Sequence, residues 1–368
     1  AGNMGASPAV TGILFAMYAV GLFGATPLAA WLTDHDGPRQ TLLWGLIALG
    51  GSTLLFAFSP ALALGLPGLF VARTAQGAAS TITWTAGLAI LAQLYTAEER
   101  PRLFARAFTV TGLGALIGPP LGGALYSWGG FALPFLFATG LVVLDGLGRA
   151  FLLPGRRILP ASKPERGATR ALLRDGPFLL GLFAAAAGAV ALSSLEPVTP
   201  LLLGSAFGLP AWAIGVVFGV MAICFVLMQP VVSRLERKIG SLGTIAVGLL
   251  AAACFFAGLA FAPDVAVVLA LLAATGCALS LVLIPAPELL TSSGQRLAGV
   301  RGTAYGAIYA LYNSAYALGI LIGPLTTGIA VIVLGVSQSF LLLAIIPAAS
   351  AVSAVALLLL RIRAQASK

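Results

Sequence analysis

Charge is what this sequence has least of. Only 8% of its 368 residues are Asp, Glu, Lys or Arg, with 20 basic and 11 acidic side chains, against about 25% in an ordinary soluble domain. So few charges cannot cover a water-facing surface, and a soluble globular fold is excluded. Histidine occurs once, as His35. There is no HExxH, no GxSxG and no GxxxxGK[ST], so the zinc-protease, nucleophile-elbow and nucleotide-driven pump signatures are all missing. The acids are scattered, and the chain is not read as an enzyme. Cys224, Cys254 and Cys277 have no CxxC spacing and read as packing residues. No cofactor and no metal is expected.

What the chain has in abundance is apolar length. It is 60% hydrophobic, with a mean hydropathy of +1.04. A helix needs about 20 apolar residues to cross a bilayer. Runs of that length, without the alternation of a barrel strand, predict an all-α membrane protein. The 45 glycines suit close helix approach. Eleven spans are predicted, near 8–32, 41–58, 62–94, 103–126, 131–152, 177–204, 211–233, 243–262, 265–290, 302–329 and 334–360.

The net charge of +9 reads as a topology signal, and no nucleic-acid partner is expected. Lys and Arg fall in alternate connections: Arg39; Arg100, Arg102 and Arg106; Arg149 to Arg174; Arg234, Arg237 and Lys238; Arg296 and Arg301; Arg361, Arg363 and Lys368. The other connections hold none. By the positive-inside rule the basic set is cytoplasmic, and so is the C-terminus. Within the spans, Arg73 is the basic residue.

Two landmarks repeat. GALIGPPLGG (114–123) and GILIGPLTTG (319–328) share a Gly-Pro pair, Gly118-Pro119 and Gly323-Pro324, 205 positions apart. Pro27 and Gly37 bracket a charged turn, as do Pro230 and Gly240, 203 positions later. The chain therefore reads as two similar halves: a bundle over 1–152, a polar, basic linker over 153–176 and a second bundle over 177–368. Duplicated halves in an apolar chain point to a transporter whose halves rock about a central site. The first half shows five helices and the second six. The period places the partner of 177–204 ahead of Ala1, so one amino-terminal helix is expected outside this sequence; a natural eleven-helix protein is the alternative.

Three segments carry a resemblance. PLAAWLTDHDGPRQ (27–40) resembles the loop motif between the second and third helices of the major facilitator superfamily, with Asp34, Gly37 and Arg39 matching. His35 and Pro38 stand where basic residues are usual. FVARTAQGAAS (70–80) is similar to that superfamily's fourth-helix motif, with Arg73 as its membrane-embedded arginine. GALIGPPLGGALY (114–126) resembles the fifth-helix signature of antiporters. LEPVTP (195–200), QLYTAEER (93–100), VLDGLGRAF (143–151) and YGAIYALYNSAYALG (305–319) look like the vesicular amine transporter branch of the drug:proton antiporters. The resemblance implies the major facilitator fold, two pseudo-symmetric six-helix bundles, with the first helix apparently absent here. It also implies exchange of protons for organic, often aromatic, cations. Tyr18 stands where eukaryotic members of the branch carry a lysine, and Asn313 where they carry an acid. Glu288 lies near their tenth-helix acid but is offset.

Ionisable groups inside a bilayer are costly, so each is informative. Glu196, followed by Pro197 and Pro200, is the leading candidate for proton coupling. Proline there leaves upstream carbonyls without donors, and burial is expected to raise the pKa of the carboxyl toward neutrality. Glu288, Asp145 and Arg73 are further candidates for proton coupling or substrate binding. Asp145 can also pair with Arg149 one helical turn on, and Arg73 can equally lock the first half together. Gln76, Ser80 and Trp84 continue the face of Arg73. Tyr18, Gln76, Trp84, Tyr305, Tyr309, Tyr312, Asn313 and Tyr316 are candidate cavity-lining residues, because tyrosine faces attract cations. Gly114, Gly118 and Gly122 are expected to permit close helix contact, with Pro119 adding a bend. Asp34 and the acids Glu98 and Glu99 are expected in ion pairs that close an inner gate. The reading is a proton-coupled exporter of organic cations, amines or lipophilic drugs, working as a monomer in a cell membrane. Another small-solute exporter or facilitator, for a sugar, an amino acid or a metallophore, remains open.

Overall fold

A computed structural model describes residues 7–94, 114, 117–152, 172–298 and 305–366. No strand occurs among them. The helices are α1 (Pro8–His35), α2 (Pro38–Phe58), α3 (Gly65–Leu94), α4 (117–129), α5 (Ala132–Leu152), α6 (Gly176–Leu201), α7 (Ala211–Leu227), α8 (Gln229–Ala260), α9 (Val265–Leu283), α10 (Pro285–Ala298), α11 (Tyr305–Leu334) and α12 (Val336–Ala366). Eight helices among the described residues are long and apolar enough to cross a membrane. The chain is a multi-pass membrane protein of all-α class. The expected linker lies outside the described residues up to 171, as do Glu98 and Glu99.

Local chemistry starts several helices. Ser7, Asp175 and Asp264 are N-caps whose side chains accept from the backbone N–H of Val10, Phe178 and Val267 at 3.4, 3.0 and 2.9 Å. Such caps satisfy donors that a helix start leaves free.

Two predicted spans prove to be bent. The span expected over 211–233 runs on through Met228 and Pro230 to Gly240, where the backbone reverses (φ 75°, ψ 166°). The one expected over 265–290 is divided at Ile284 by Pro285. Proline cannot donate to the preceding turn, so the helix axis breaks there.

The chain divides into two compact units, residues 1–163 with 210–215, and 164–209 with 216–368. In the first, α1 and α3 touch backbone to backbone. A Cβ on Gly21 would overlap the Thr74 carbonyl, and one on Gly77 the Tyr18 carbonyl. Gly45 brings α2 onto α3 at Thr83. Phe56 stacks with Phe131 and meets Phe135 at a tilt of 46°, at centroid distances of 5.9 and 4.8 Å, and this ties α5 to α2.

In the second unit, α11 lies in a seat on α6. Gly319 meets Ala186 and Ala189, and Gly323 meets Val190 and Ser193. Ser193 donates to the Gly319 carbonyl (3.2 Å) and Thr327 to that of Ser194 (3.2 Å). Gly323 and Pro324 thus sit inside a tight helix pair. Gly248 brings α8 onto α9 at Ala278 and Leu281.

The repeat is visible in the backbone. Gly37 (φ 84°, ψ 153°) and Gly240 (φ 75°, ψ 166°) take the same left-sided turn, which residues with a Cβ rarely adopt. Four residues on, Thr41 and Thr244, both fully buried, donate to the carbonyls of Gly37 and Gly240 at 3.0 and 2.9 Å. One turn later, Gly45 and Gly248 supply the close approach to the next helix. Each equivalent pair is separated by 203 positions.

One packing expectation finds no partner among the described residues. A Cβ at Gly114, Gly118 or Gly122 would meet nothing within 4 Å among the described residues. The close approach on α4 falls instead at Gly123, where a Cβ would lie 2.7 Å from the Ala211 carbonyl oxygen. Gly319 and Gly323 are filled by α6, and the first unit has no counterpart of α6 among its described residues.

The Gly323→Ala variant should therefore lose about 1–3 kcal/mol through overpacking, seen as a lower unfolding midpoint in detergent. Gly24→Ala, at an exposed helical position with open space around it, should be neutral or gain up to about 1 kcal/mol. Equal effects at the two sites would contradict the seat described on α6.

Candidate functional site

In the first unit the site forms around Arg73, half-buried on α3. Its guanidinium carbon lies 5.1 Å from the ring centroid of Tyr18 and 5.6 Å from that of Phe15, both on α1. Such faces offset part of the cost of removing a cation from water. Arg73 Nη1 donates to Gln76 Oε1 at 3.2 Å, and Gln76 Nε2 donates to Thr53 Oγ1 at 3.2 Å. Thr53 passes the chain on to the Leu49 carbonyl (2.7 Å). Gln76 is 6% exposed, so this relay crosses the protein from α3 to α2. Tyr18 on α1 and Arg73 and Gln76 on α3 are thus brought together. Arginine stays protonated, so Arg73 cannot itself take up and release a proton. Its geometry fits the alternative role, locking three helices. Trp84 continues the same helix, half-buried.

A groove of about 430 Å³ runs beside α1 and α3, lined by Met17, Phe70, Val71, Thr74, Ala75 and Ala78. Its one hydroxyl, on Thr74, already donates to the Phe70 carbonyl (2.8 Å). None of the candidate residues lines it.

The inner-loop residues separate. Arg39 Nη2 donates to the Ala150 carbonyl at 2.7 Å, in the last turn of α5, where helix carbonyls lack intrahelical donors and carry partial negative charge. Asp34 is exposed, and no ion pair joins it to Arg39 among the described residues. Arg39 thus ties α2 to α5, while the other inner-loop partners expected for the gate, Glu98 and Glu99 with Arg100, Arg102 and Arg106, lie outside the described residues. Asp145 does pair with Arg149, whose Nε lies 2.8 Å from both carboxylate oxygens. Both side chains are over 40% exposed, so the pair contributes little energy.

In the second unit, Glu196 departs from expectation. It is exposed, where burial was expected. The reason is its place around α6: Leu195, Pro197, Val198 and Thr199 fill the buried arc. Glu196 occupies the arc left over, between the half-buried Leu192 and Pro200. Pro197 and Pro200 remove the N–H groups that would bond the carbonyls of Ser193 and Glu196. A π-turn, Leu202–Ala206, follows at once. The backbone on either side of exposed Glu196 therefore departs from regular α-helical bonding.

Tyr312 and Tyr316 stack at 6.0 Å between centroids. Tyr312 also packs against the cluster of Leu172, Phe178, Leu290 and Ile308, and Asn313 is half-buried beside it. Tyr305 and Tyr309 share this helix, with side chains outside the described residues. Glu288 is exposed in the first turn of α10, where the helix dipole favours an anion.

The profile of the Major Facilitator Superfamily matches residues 1–315. The chain belongs to that superfamily. Its relatives include a chromaffin granule amine transporter of Rattus norvegicus, 31% identical over 331 residues, which cover 88% of this chain and 61% of the relative. A synaptic vesicular amine transporter of Homo sapiens is 28% identical over 318 residues, covering 86% of this chain and 60% of the relative. The chain thus spans about three fifths of the length of these curated relatives. The crystal structure of the human organic anion transporter MFSD10 (TETRAN) shares the fold, with a TM-score of 0.63 at 21% identity, covering 93% of this chain and 83% of that one.

Within this superfamily fold, one acid escaped the sequence reading. Glu236 lies in the charged turn 234–241, between apolar spans, and its Oε1 accepts from Ser241 Oγ at 3.0 Å. Burial raises its carboxyl above the ordinary value, the Ser241 hydrogen bond opposes this, and the charge of Glu288 adds to the rise. Ser241 also lines a groove of about 360 Å³ with Leu289, Ser292 and Leu358. The signal lay in LERKIGS (235–241), where the acid sits among basic residues and reads as a solvated loop.

A carboxyl raised in the folded state favours the protonated fold, so its contribution to stability is lost as pH climbs through its folded pKa. The unfolding midpoint in detergent should therefore decline from about pH 4 toward neutrality, and Glu236→Gln should remove part of that decline. An unchanged profile in the variant would contradict the assignment.

Proposed function

We propose that this protein is a proton-coupled antiporter that exports organic cations, amines or lipophilic drugs by alternating access. The observation that carries the reading is the accessible Glu196 of α6, in a chain whose relatives include amine transporters over 88% of its length. An exchange carboxyl must reach both a proton donor and a cation, and an exposed position allows both. In this reading Glu196 is deprotonated when the cation is bound, or loses its proton on binding. The halves, 1–152 and 177–368 joined by the linker 153–176, rock and release the cation outside. Protonation of Glu196 then resets the carrier.

Glu288 and Asp145 are assigned supporting roles in coupling or substrate binding. Trp84 and the tyrosine row of α11 line the path, where their faces attract an organic cation. Arg73 holds the first bundle in shape beside Tyr18 and Gln76. Asp34, Gly37 and Arg39 belong to the cytoplasmic gate. The charge distribution supports a cytoplasmic C-terminus. In this reading the carrier sits in a bacterial cell membrane and works as a monomer on protons and a small molecule.

The second reading is a superfamily exporter or facilitator for a sugar, an amino acid or a metallophore. What favours it is the replacement of two charges of the amine branch, by Tyr18 and Asn313.

The test is transport by the full-length protein in proteoliposomes with an imposed pH gradient. Addition of tetraphenylphosphonium or an aliphatic amine should drive proton movement, read as internal pH. Glu196→Gln should bring it down to the level of protein-free vesicles while expression is spared. Coupled movement at the unmutated rate in that variant would remove Glu196 from the mechanism. No proton movement with any cation would favour the second reading.

A further inference from the structure

The second unit holds a thiol pair that is not among the residues proposed for transport. Cys224 lies on α7 and Cys277 on α9. The two helices cross backbone to backbone beside them: a Cβ on Gly276 would overlap the carbonyl of Met221, which is only 7% exposed. Glycine at 276 thereby lets the next residue reach across. Cys277 Sγ sits 3.9 Å from the carbonyl oxygen of Cys224. Both are free and half-buried, whereas Cys254 on α8 is exposed. Among the described residues no cluster of three or more His, Cys, Asp or Glu forms.

Two thiols with no third ligand suit a soft element that takes two sulfurs and keeps a substituent of its own. We propose that Cys224 and Cys277 form a dithiol site for trivalent organic arsenicals, in which one arsenic atom bridges α7 and α9. With an arsine oxide, two As–S bonds form. The oxygen bound to arsenic leaves as water and carries both thiol protons. Arsenic stays trivalent throughout, so the step needs no oxidant or reductant. The first As–S bond makes the second intramolecular, and the high effective concentration favours the pair over a single thiol. The bridge fastens α7 to α9 at the point where their backbones already touch.

The test uses the full chain in detergent with equimolar phenylarsine oxide, followed by gel filtration and intact mass measurement. One phenylarsenic adduct per chain is expected, removed by excess 2,3-dimercaptopropanol. Cys224→Ser and Cys277→Ser should each lose it, and Cys254→Ser should keep it. Maleimide labelling of the loaded, unmutated chain gives a readout that does not depend on any variant folding. Labelling confined to Cys254 supports the site. Labelling of Cys224 or Cys277 in the loaded chain, absence of an adduct, or an adduct surviving either serine substitution would overturn it.

Discussion

With only 8% of its residues charged, this chain must hold its helices together by close contact. Lipid tails are as apolar as leucine side chains, so burying leucine between helices gains little over leaving it in lipid. Backbone approach at glycine supplies the attraction instead. Gly21 and Gly77 join α1 to α3, Gly45 joins α2 to α3, Gly248 joins α8 to α9, and Gly319 with Gly323 joins α11 to α6. The side chains that shape the candidate site hang on these crossings. Tyr18, whose ring covers Arg73, is the residue whose carbonyl Gly77 meets. A side chain at Gly77 would push α1 away and uncover the guanidinium.

The few ionic groups among the described residues are settled in different ways. Arg73 is matched by two aromatic faces and Gln76, Arg39 by the carbonyl end of α5, and Arg149 by Asp145. Each of these ties one element to itself or to a neighbour. Glu196 differs. It stands on the uncovered arc of α6, next to carbonyls that two prolines have left without helix donors.

The duplication and the helices were legible in the sequence, because long apolar runs and a repeated Gly turn leave few alternatives. The Gly37 and Gly240 turns carry the same backbone and the same threonine hydrogen bond. The bends at Met228 and Ile284 were not placed, since the prolines after them are compatible with a span end as well as a kink. The glycine row Gly114, Gly118 and Gly122 has the right spacing for contact, yet spacing does not say which helix fills it. The exposure of Glu196 was hidden for a related reason: hydropathy places a residue at a depth, not on a side. Which arc of α6 is buried depends on small residues more than a hundred positions away, on α11. Glu236 was missed because its burial and its hydrogen bond to Ser241 arise from the reversal at Gly240.

The central claim is that cation binding and proton release meet at Glu196. The most direct measurement is proton release in weakly buffered detergent solution when the full-length protein is titrated with tetraphenylphosphonium, a cation with no proton of its own. The account predicts release that saturates with binding and vanishes in Glu196→Gln. Binding without release, or release that persists undiminished in the variant, would contradict it.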